Sequence, residues 1–295
     1  MSSSDLMPDK NASPTADQNP ILGVAGVQMT SGGTVEDSLT QAEQAIEQAA
    51  SVGARLVVLP ENFATLGTGQ SGPVAVEEAA DGPRTLTRWA AAQARANGVW
   101  LVAGTIPVRQ AGSGKSRARS MVFDPEGELV AQYDKIHLFD VDVGDAYGSY
   151  RESDYYEPGT DVVTWDIQAD DGEPLRVGMS VCYDLRFPEL YAALRRQGAD
   201  LILVPSAFTH RTGQAHWGML LRARAVEQGC YVLGVNQCGW HDSKRRTWGH
   251  SQLVDPWGDT RAALASEPDI LVGQISREYL KRIRTQLPTH QHHRL

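Results

Sequence analysis

Short continuous apolar runs, separated by segments of helical spacing, restrict this chain to a layered α/β fold. The run at 55–59 (RLVVL) is β-branched-rich and unbroken, as a strand buried on both faces should be. Similar runs lie at 22–29, 99–106, 201–205 and 231–235. Between 35 and 52, Leu39, Ala42, Ala45, Ile46 and Ala49 recur at helical spacing, and Gly53 stands where a helix C-cap belongs. Further helices are expected from Gly82-Pro83 to Asn97-Gly98 and over 189–197, 215–228 and 277–284. Pro125-Glu126-Gly127 between 119–124 and 128–133 signals a hairpin. Two more strands flank Asp255-Pro256-Trp257-Gly258, and a last one runs over 270–275. Strand–helix alternation broken by hairpins points to a sandwich with mixed sheets rather than a βα barrel. With no internal repeat and no Pro/Gly/Ser-rich linker, residues 21–295 read as one domain.

The first 20 residues are rich in Ser, Asp, Asn and Pro and lack an apolar stretch, which predicts a disordered tail rather than a secretory signal. A net charge of −9 argues against nonspecific nucleic-acid binding. The 3 cysteines, Cys182, Cys230 and Cys238, form an odd set that fits a reducing compartment better than a disulfide framework. No apolar run reaches the ~18 residues that a membrane span requires. A cytoplasmic protein is the expectation.

Reactive side chains gather just after the strand candidates. Cys182 ends the run VGMSV and enters the turn Cys182-Tyr183-Asp184-Leu185-Arg186-Phe187-Pro188 ahead of a helix. A strand-to-helix turn can present a nucleophile next to free N–H groups and a positive helix end. Glu61 follows RLVVLP, and Lys135 follows the 128–133 hairpin strand. Glu152 lies in a long, tyrosine-rich irregular stretch, 141–161, of a kind usually kept for function. Taken singly, each is ordinary: a solvated glutamate, a surface lysine, a core cysteine. Together, a thiol, a carboxylate and an ammonium make a hydrolytic site. A free thiol is mostly protonated at neutral pH and needs a base, for which Glu61 is the candidate. Lys135, with the backbone N–H of Tyr183, is placed to meet an oxyanion and to lower the pKa of the thiol.

Pro60-Glu61-Asn62-Phe63, Asp134-Lys135-Ile136-His137-Leu138-Phe139 and Cys182-Tyr183-Asp184-Leu185-Arg186-Phe187-Pro188-Glu189 resemble, in that order, the motifs of the nitrilase superfamily of carbon–nitrogen hydrolases. The resemblance implies a four-layer α-β-β-α sandwich, usually dimeric, and a Glu–Lys–Cys triad working through a thioester without metal or cofactor. It also implies a second glutamate after the lysine, matched by Glu152. Pro205-Ser206-Ala207-Phe208, Thr212-Gly213 and Ala215-His216-Trp217 are similar to small amidases acting on ω-amides of 2-oxo acids and on deaminated glutathione. Cys238-Gly239, Lys244-Arg245 and GHSQLVDPWG look more like the latter group. The expected substrate is therefore a small linear amide bearing a carboxylate, for which Arg186, Phe208 and Thr212 are candidate pocket residues. Deaminated glutathione is the first expectation; an ω-amidase acting on 2-oxoglutaramate or 2-oxosuccinamate, a nitrilase, an N-carbamoyl amidase and a catalytically inactive scaffold are the alternatives.

Other features carry less. Gly112-Ser113-Gly114-Lys115-Ser116 mimics the end of a phosphate-binding loop, but Arg109 stands where that motif needs glycine. His290, His292 and His293 have no adjacent cysteine or carboxylate that would suggest a metal site. A papain-like pairing of Cys182 with His216 or His137 is the rival mechanism.

Overall fold

The computed structural model describes residues 19–145, 148–292 and 294, so most of the expected N-terminal tail and His293 lie outside the described residues. Two sheets face each other. The first contains β1 (Leu22–Gln28), β2 (Leu56–Val58), β3 (Trp100–Val102), β4 (Ile106–Arg109), β5 (Ser116–Phe123), β6 (Leu129–Asp134) and β17 (Asp269–Ile275). Its order is β17-β1-β2-β3-β5-β4, with β6 paired to β5. The hairpin β7 (Asp140–Asp142) and β8 (Ser149–Arg151) stands apart from it. The second sheet has β9 (Thr164–Gln168), β10 (Pro174–Met179), β11 (Leu201–Ser206), β12 (Tyr231–Asn236), β15 (Gln252–Val254) and β16 (Thr260–Ala263), in the order β16-β15-β12-β11-β10-β9. A separate hairpin pairs β13 (Cys238–Trp240) with β14 (Arg246–Trp248).

Each sheet is a parallel triplet with antiparallel flanks: β1, β2 and β3 in one, β10, β11 and β12 in the other. A parallel strand is covered on both faces, which is why these strands read as continuous apolar runs. Val24, Leu56 and Val58 point between the sheets and cluster with Val177, Leu203 and Leu233. Ala25, Val57 and Leu101 point outward to α1 (Val35–Ser51) and α3 (Thr85–Asn97), meeting Ala42, Ile46, Ala90 and Ala94. On the far side, α4 (Pro188–Arg196) and α5 (His210–Gln228) cover the second sheet with Leu190, Leu194, Trp217 and Leu221. The layers are α-β-β-α. Gly26 lets the sheets approach, since a Cβ there would lie 2.7 Å from Val235 Cγ2.

Helix limits follow capping chemistry. Thr34 and Asp37 form a reciprocal capping box at the start of α1, and left-handed Gly98 ends α3. Helix α5 begins at His210, earlier than the expected 215, because Thr209 caps it by accepting from the Thr212 N–H. The expected strand 99–106 is two strands. Gly104, at φ 22°, breaks it, and a side chain there would run into the Pro60 carbonyl. That contact seats the chain beside Glu61. A further helix, α2, spans Ser71–Glu77. The long stretch 141–161 contains part of the β7–β8 hairpin and a 3-10 turn, Glu152–Asp154. The final helix, α6, spans Arg277–Gln286.

Candidate active site

Glu61, Cys182 and Ala207 follow β2, β10 and β11, at the carboxyl ends of the two parallel triplets, where open α/β sheets form their crevices. Lys135 follows β6. The structure brings Glu61, Lys135, Glu152 and Cys182 together on the floor of a cavity of about 880 Å³. Glu61, Lys135 and Cys182 are each at most 7% exposed.

The cysteine sits at φ 49°, a left-handed conformation that costs a non-glycine residue energy and persists only where its surroundings enforce it. Asp184 enforces it. Its fully buried carboxylate accepts from the Val181 N–H (2.8 Å) and the Tyr133 hydroxyl (2.7 Å) through Oδ2. Through Oδ1 it accepts from the backbone N–H of His137 (3.0 Å) and from His137 Nδ1 (2.7 Å). One carboxylate thereby ties the nucleophile turn to residues on both sides of Lys135. The Asp184 N–H bonds the Val181 carbonyl as the first bond of the 3-10 turn Cys182–Arg186, so that turn does not engage the Tyr183 N–H.

Lys135 Nζ donates to Glu61 Oε1 at 2.8 Å and to both Glu152 oxygens, at 3.0 and 2.8 Å. Glu61 Oε2 accepts from the Ala207 N–H at 2.9 Å. Glu152 Oε2 also accepts from the Phe139 N–H at 2.7 Å, fixing the 3-10 turn that carries it. Asn62, next to Glu61, is a second left-handed non-glycine residue. It is held by Thr105, whose hydroxyl accepts from the Asn62 N–H (2.8 Å) and donates to Asn62 Oδ1 (3.2 Å).

Burial by itself would push the Lys135 ammonium down, but Glu152 and Glu61 outweigh it and hold the group well above its usual range. Burial, reinforced by Glu61, pushes Glu152 up against the pull of Lys135. The Cys182 thiol rises for the same two reasons, burial and Glu61, with Lys135 opposing. The expected lowering of the thiol by Lys135 is thus present as one contribution and is outweighed. At neutral pH Cys182 rests as a thiol.

Arg186, Phe208 and Thr212 line one wall of the cavity. The Arg186 guanidinium sits 5.8 Å from the Tyr183 ring centre and 5.4 Å from that of Phe208, with Nη1 3.3 Å from His216 Nδ1. His216 thus faces Arg186 and His137 faces Asp184, while Glu61 occupies the position beside the thiol. Gly112–Ser116 forms the turn between β4 and β5 and the start of β5, with no helix following to complete a phosphate site. Sequence reasoning missed the Ala207 N–H, the Asp184–Tyr133–His137 clamp and the Thr105 brace. Asp184 carried a signal in its place two residues after the cysteine; the backbone N–H of an alanine carried none.

A family profile described as carbon-nitrogen hydrolase matches residues 23–285. A protein named deaminated glutathione amidase from Yersinia enterocolitica is 44% identical over 272 residues, covering 92% of each chain. A protein of the same name from Mus musculus is 34% identical, over 97% of this chain and 87% of its own. Among solved structures, yeast Nit3, a nitrilase superfamily member, superposes with a TM-score of 0.80 at 29% identity, over 93% of this chain and 97% of its own. The C. elegans NitFhit protein gives 0.83 at 33% identity over 93% of this chain, which spans 65% of NitFhit.

Proposed function

The chain belongs to the carbon–nitrogen hydrolase family and is an amide-hydrolysing enzyme, and on that premise we propose that it cleaves deaminated glutathione through a Cys182 thioester. The observation that carries the mechanism is the single buried cluster of one thiol, one ammonium and two carboxylates. Glu61 removes the thiol proton as Sγ attacks the amide carbonyl. The oxyanion forms against Lys135 Nζ and the Tyr183 N–H, both fixed before substrate arrives. Protonated Glu61 then gives its proton to the departing amine, leaving the acyl group on sulfur. Water, deprotonated by Glu61, attacks the thioester; the acid leaves and the thiol regains its proton. Glu152 has both oxygens on Lys135, and its role is to hold that charge in place and keep the lysine protonated.

The relatives' names support the choice of substrate. So does the cavity, which is large enough for a tripeptide-sized linear molecule and has Arg186 available to pair with a carboxylate. A homodimer is part of the same proposal: Met219, Val226 and Trp257 leave apolar surface exposed on and beside α5. A cytoplasmic location belongs to the same proposal; no helix among the described residues is long and apolar enough to cross a membrane. Product release should be measured across deaminated glutathione, 2-oxoglutaramate, an N-carbamoyl amino acid and an aliphatic nitrile. The reading expects deaminated glutathione to give the highest kcat/KM. Equal or zero turnover of the first two would overturn it.

A further inference from the structure

An arginine that binds an anion has two requirements that pull against each other. Its guanidinium must be held in one orientation, and its charge must stay uncancelled until the ligand arrives. A carboxylate neighbour meets the first and fails the second. We propose that His216 meets both for Arg186: it is a positioning residue whose neutral ring orients the guanidinium by accepting one N–H and leaves the charge for a substrate carboxylate. The inference rests on the function proposed above, in which Arg186 pairs with such a carboxylate.

Arg186 ends the 3-10 turn Cys182–Arg186, is half-buried and lines the cavity. Elsewhere in the molecule arginines fork onto carboxylates: Arg119 onto Asp134, Arg176 onto Asp166 and Arg277 onto Asp171. Arg186 has no carboxylate partner among the described residues. Its guanidinium meets the rings of Tyr183 and Phe208, and its Nη1 lies 3.3 Å from His216 Nδ1. A guanidinium only donates, so Nδ1 is the acceptor, the ring proton is on Nε2 and the imidazole is uncharged.

The groups that hold Arg186 are themselves fixed. His216 lies on α5 one turn after Thr212, which also lines the cavity. The next residue, Trp217, is fully buried and donates its Nε1–H to the His250 carbonyl at 2.7 Å. Its ring packs on Phe208, with centres 4.9 Å apart. The Phe208 N–H donates to Asn236 Oδ1 at 2.9 Å, and the Phe208 carbonyl accepts from the Trp248 N–H at 3.0 Å. The Tyr183 ring meets Phe139 and Phe187 edge-on, at 5.1 and 5.3 Å. A guanidinium held by such groups loses little freedom when a carboxylate binds, which is the gain from preorganisation. A carboxylate at position 216 would hold it as firmly but would compete with substrate for its charge. An aliphatic side chain there would spare the charge and leave the guanidinium free to turn.

The test measures kcat and KM for deaminated glutathione and for its two monoamides, in each of which one terminal carboxylate is a carboxamide, by release of the cysteine-bearing product. The enzymes are the wild type, His216→Asn, His216→Leu and His216→Asp, each checked for an unchanged melting temperature. The wild type should favour the acid over at least one monoamide by about 10- to 100-fold in kcat/KM, the size of a charge-assisted hydrogen bond. His216→Asp should abolish that preference, through the KM of the acid. His216→Leu should reduce it by about 3- to 10-fold, the cost of a guanidinium left to be ordered on binding. His216→Asn, which supplies a neutral oxygen acceptor in place of Nδ1, should recover most of it. A His216→Asp enzyme that keeps the wild-type preference, or variants that weaken acid and monoamides alike, would overturn the role of His216 and leave the proposed function standing. A wild type that turns over none of the three molecules overturns both.

Discussion

The floor of the cavity and its walls are built to different rules. On the floor, Glu61, Lys135 and Cys182 are buried; distant groups hold Glu61 and Lys135 directly and the Cys182 turn through Asp184. Taking such charges out of water is expensive, and only full pairing makes it tolerable. On the walls, Arg186 lies against the rings of Tyr183 and Phe208. On the proposed mechanism the floor breaks the bond and tolerates little change, whereas the walls select the molecule and admit graded change. Even within the floor the two glutamates differ: Glu61 has one oxygen on Lys135 and the other on Ala207, whereas Glu152 places both on the lysine.

That contrast is most sharply tested by comparing the glutamates. Glu61→Gln should lower kcat by about 10²- to 10⁴-fold, the range for loss of a general acid–base. Glu152→Gln should cost less, about 10- to 100-fold, because only the placement of the lysine is disturbed. Steady-state kinetics on folded variants checks both, and equal losses would erase the distinction. On the wall, Arg186→Gln should raise KM about tenfold with kcat changed far less, as expected when a charged hydrogen bond to bound substrate is lost. A fall confined to kcat would move Arg186 into the chemistry.

A separate effect concerns stability. An unfolded cysteine ionises near 9.0 and an unfolded lysine near 10.5, and in the fold both Cys182 and Lys135 lie higher. Above pH 9 the native state therefore retains protons that the unfolded chain has released. Stability is complete below that point and falls as pH rises, by about 1.4 kcal/mol per pH unit for each group within its window. Cys238, raised by burial to about 11, adds to the same slope. Denaturant melts from pH 8 to 11 measure it, and a flat profile would show that the floor does not hold these protons.

Much of this was legible in the sequence because burial leaves a pattern. Runs such as 55–59 and 201–205 are continuous because parallel strands are covered twice, and the reactive residues sit where those runs stop. What stayed hidden depends on contacts between distant segments. Gly104 breaks a strand only because the Pro60 carbonyl lies against it. The 141–161 stretch looked irregular because its short hairpin is exposed on most of its residues and so lacks an apolar signature. The balance of burial against charge at Cys182 could not be read at all, since Glu61 and Lys135 act on it in opposite senses.

The central claim is that Cys182, deprotonated by Glu61, carries the acyl group. Rapid mixing of the wild type with deaminated glutathione, acid quench and intact-protein mass spectrometry test it directly, followed by peptide mapping. A 2-oxoglutaryl adduct should appear on the peptide containing Cys182, form and decay at rates matching turnover, and be absent from Cys182→Ala, which should be inactive. Turnover without an adduct on that peptide, or persisting in Cys182→Ala, would contradict the account.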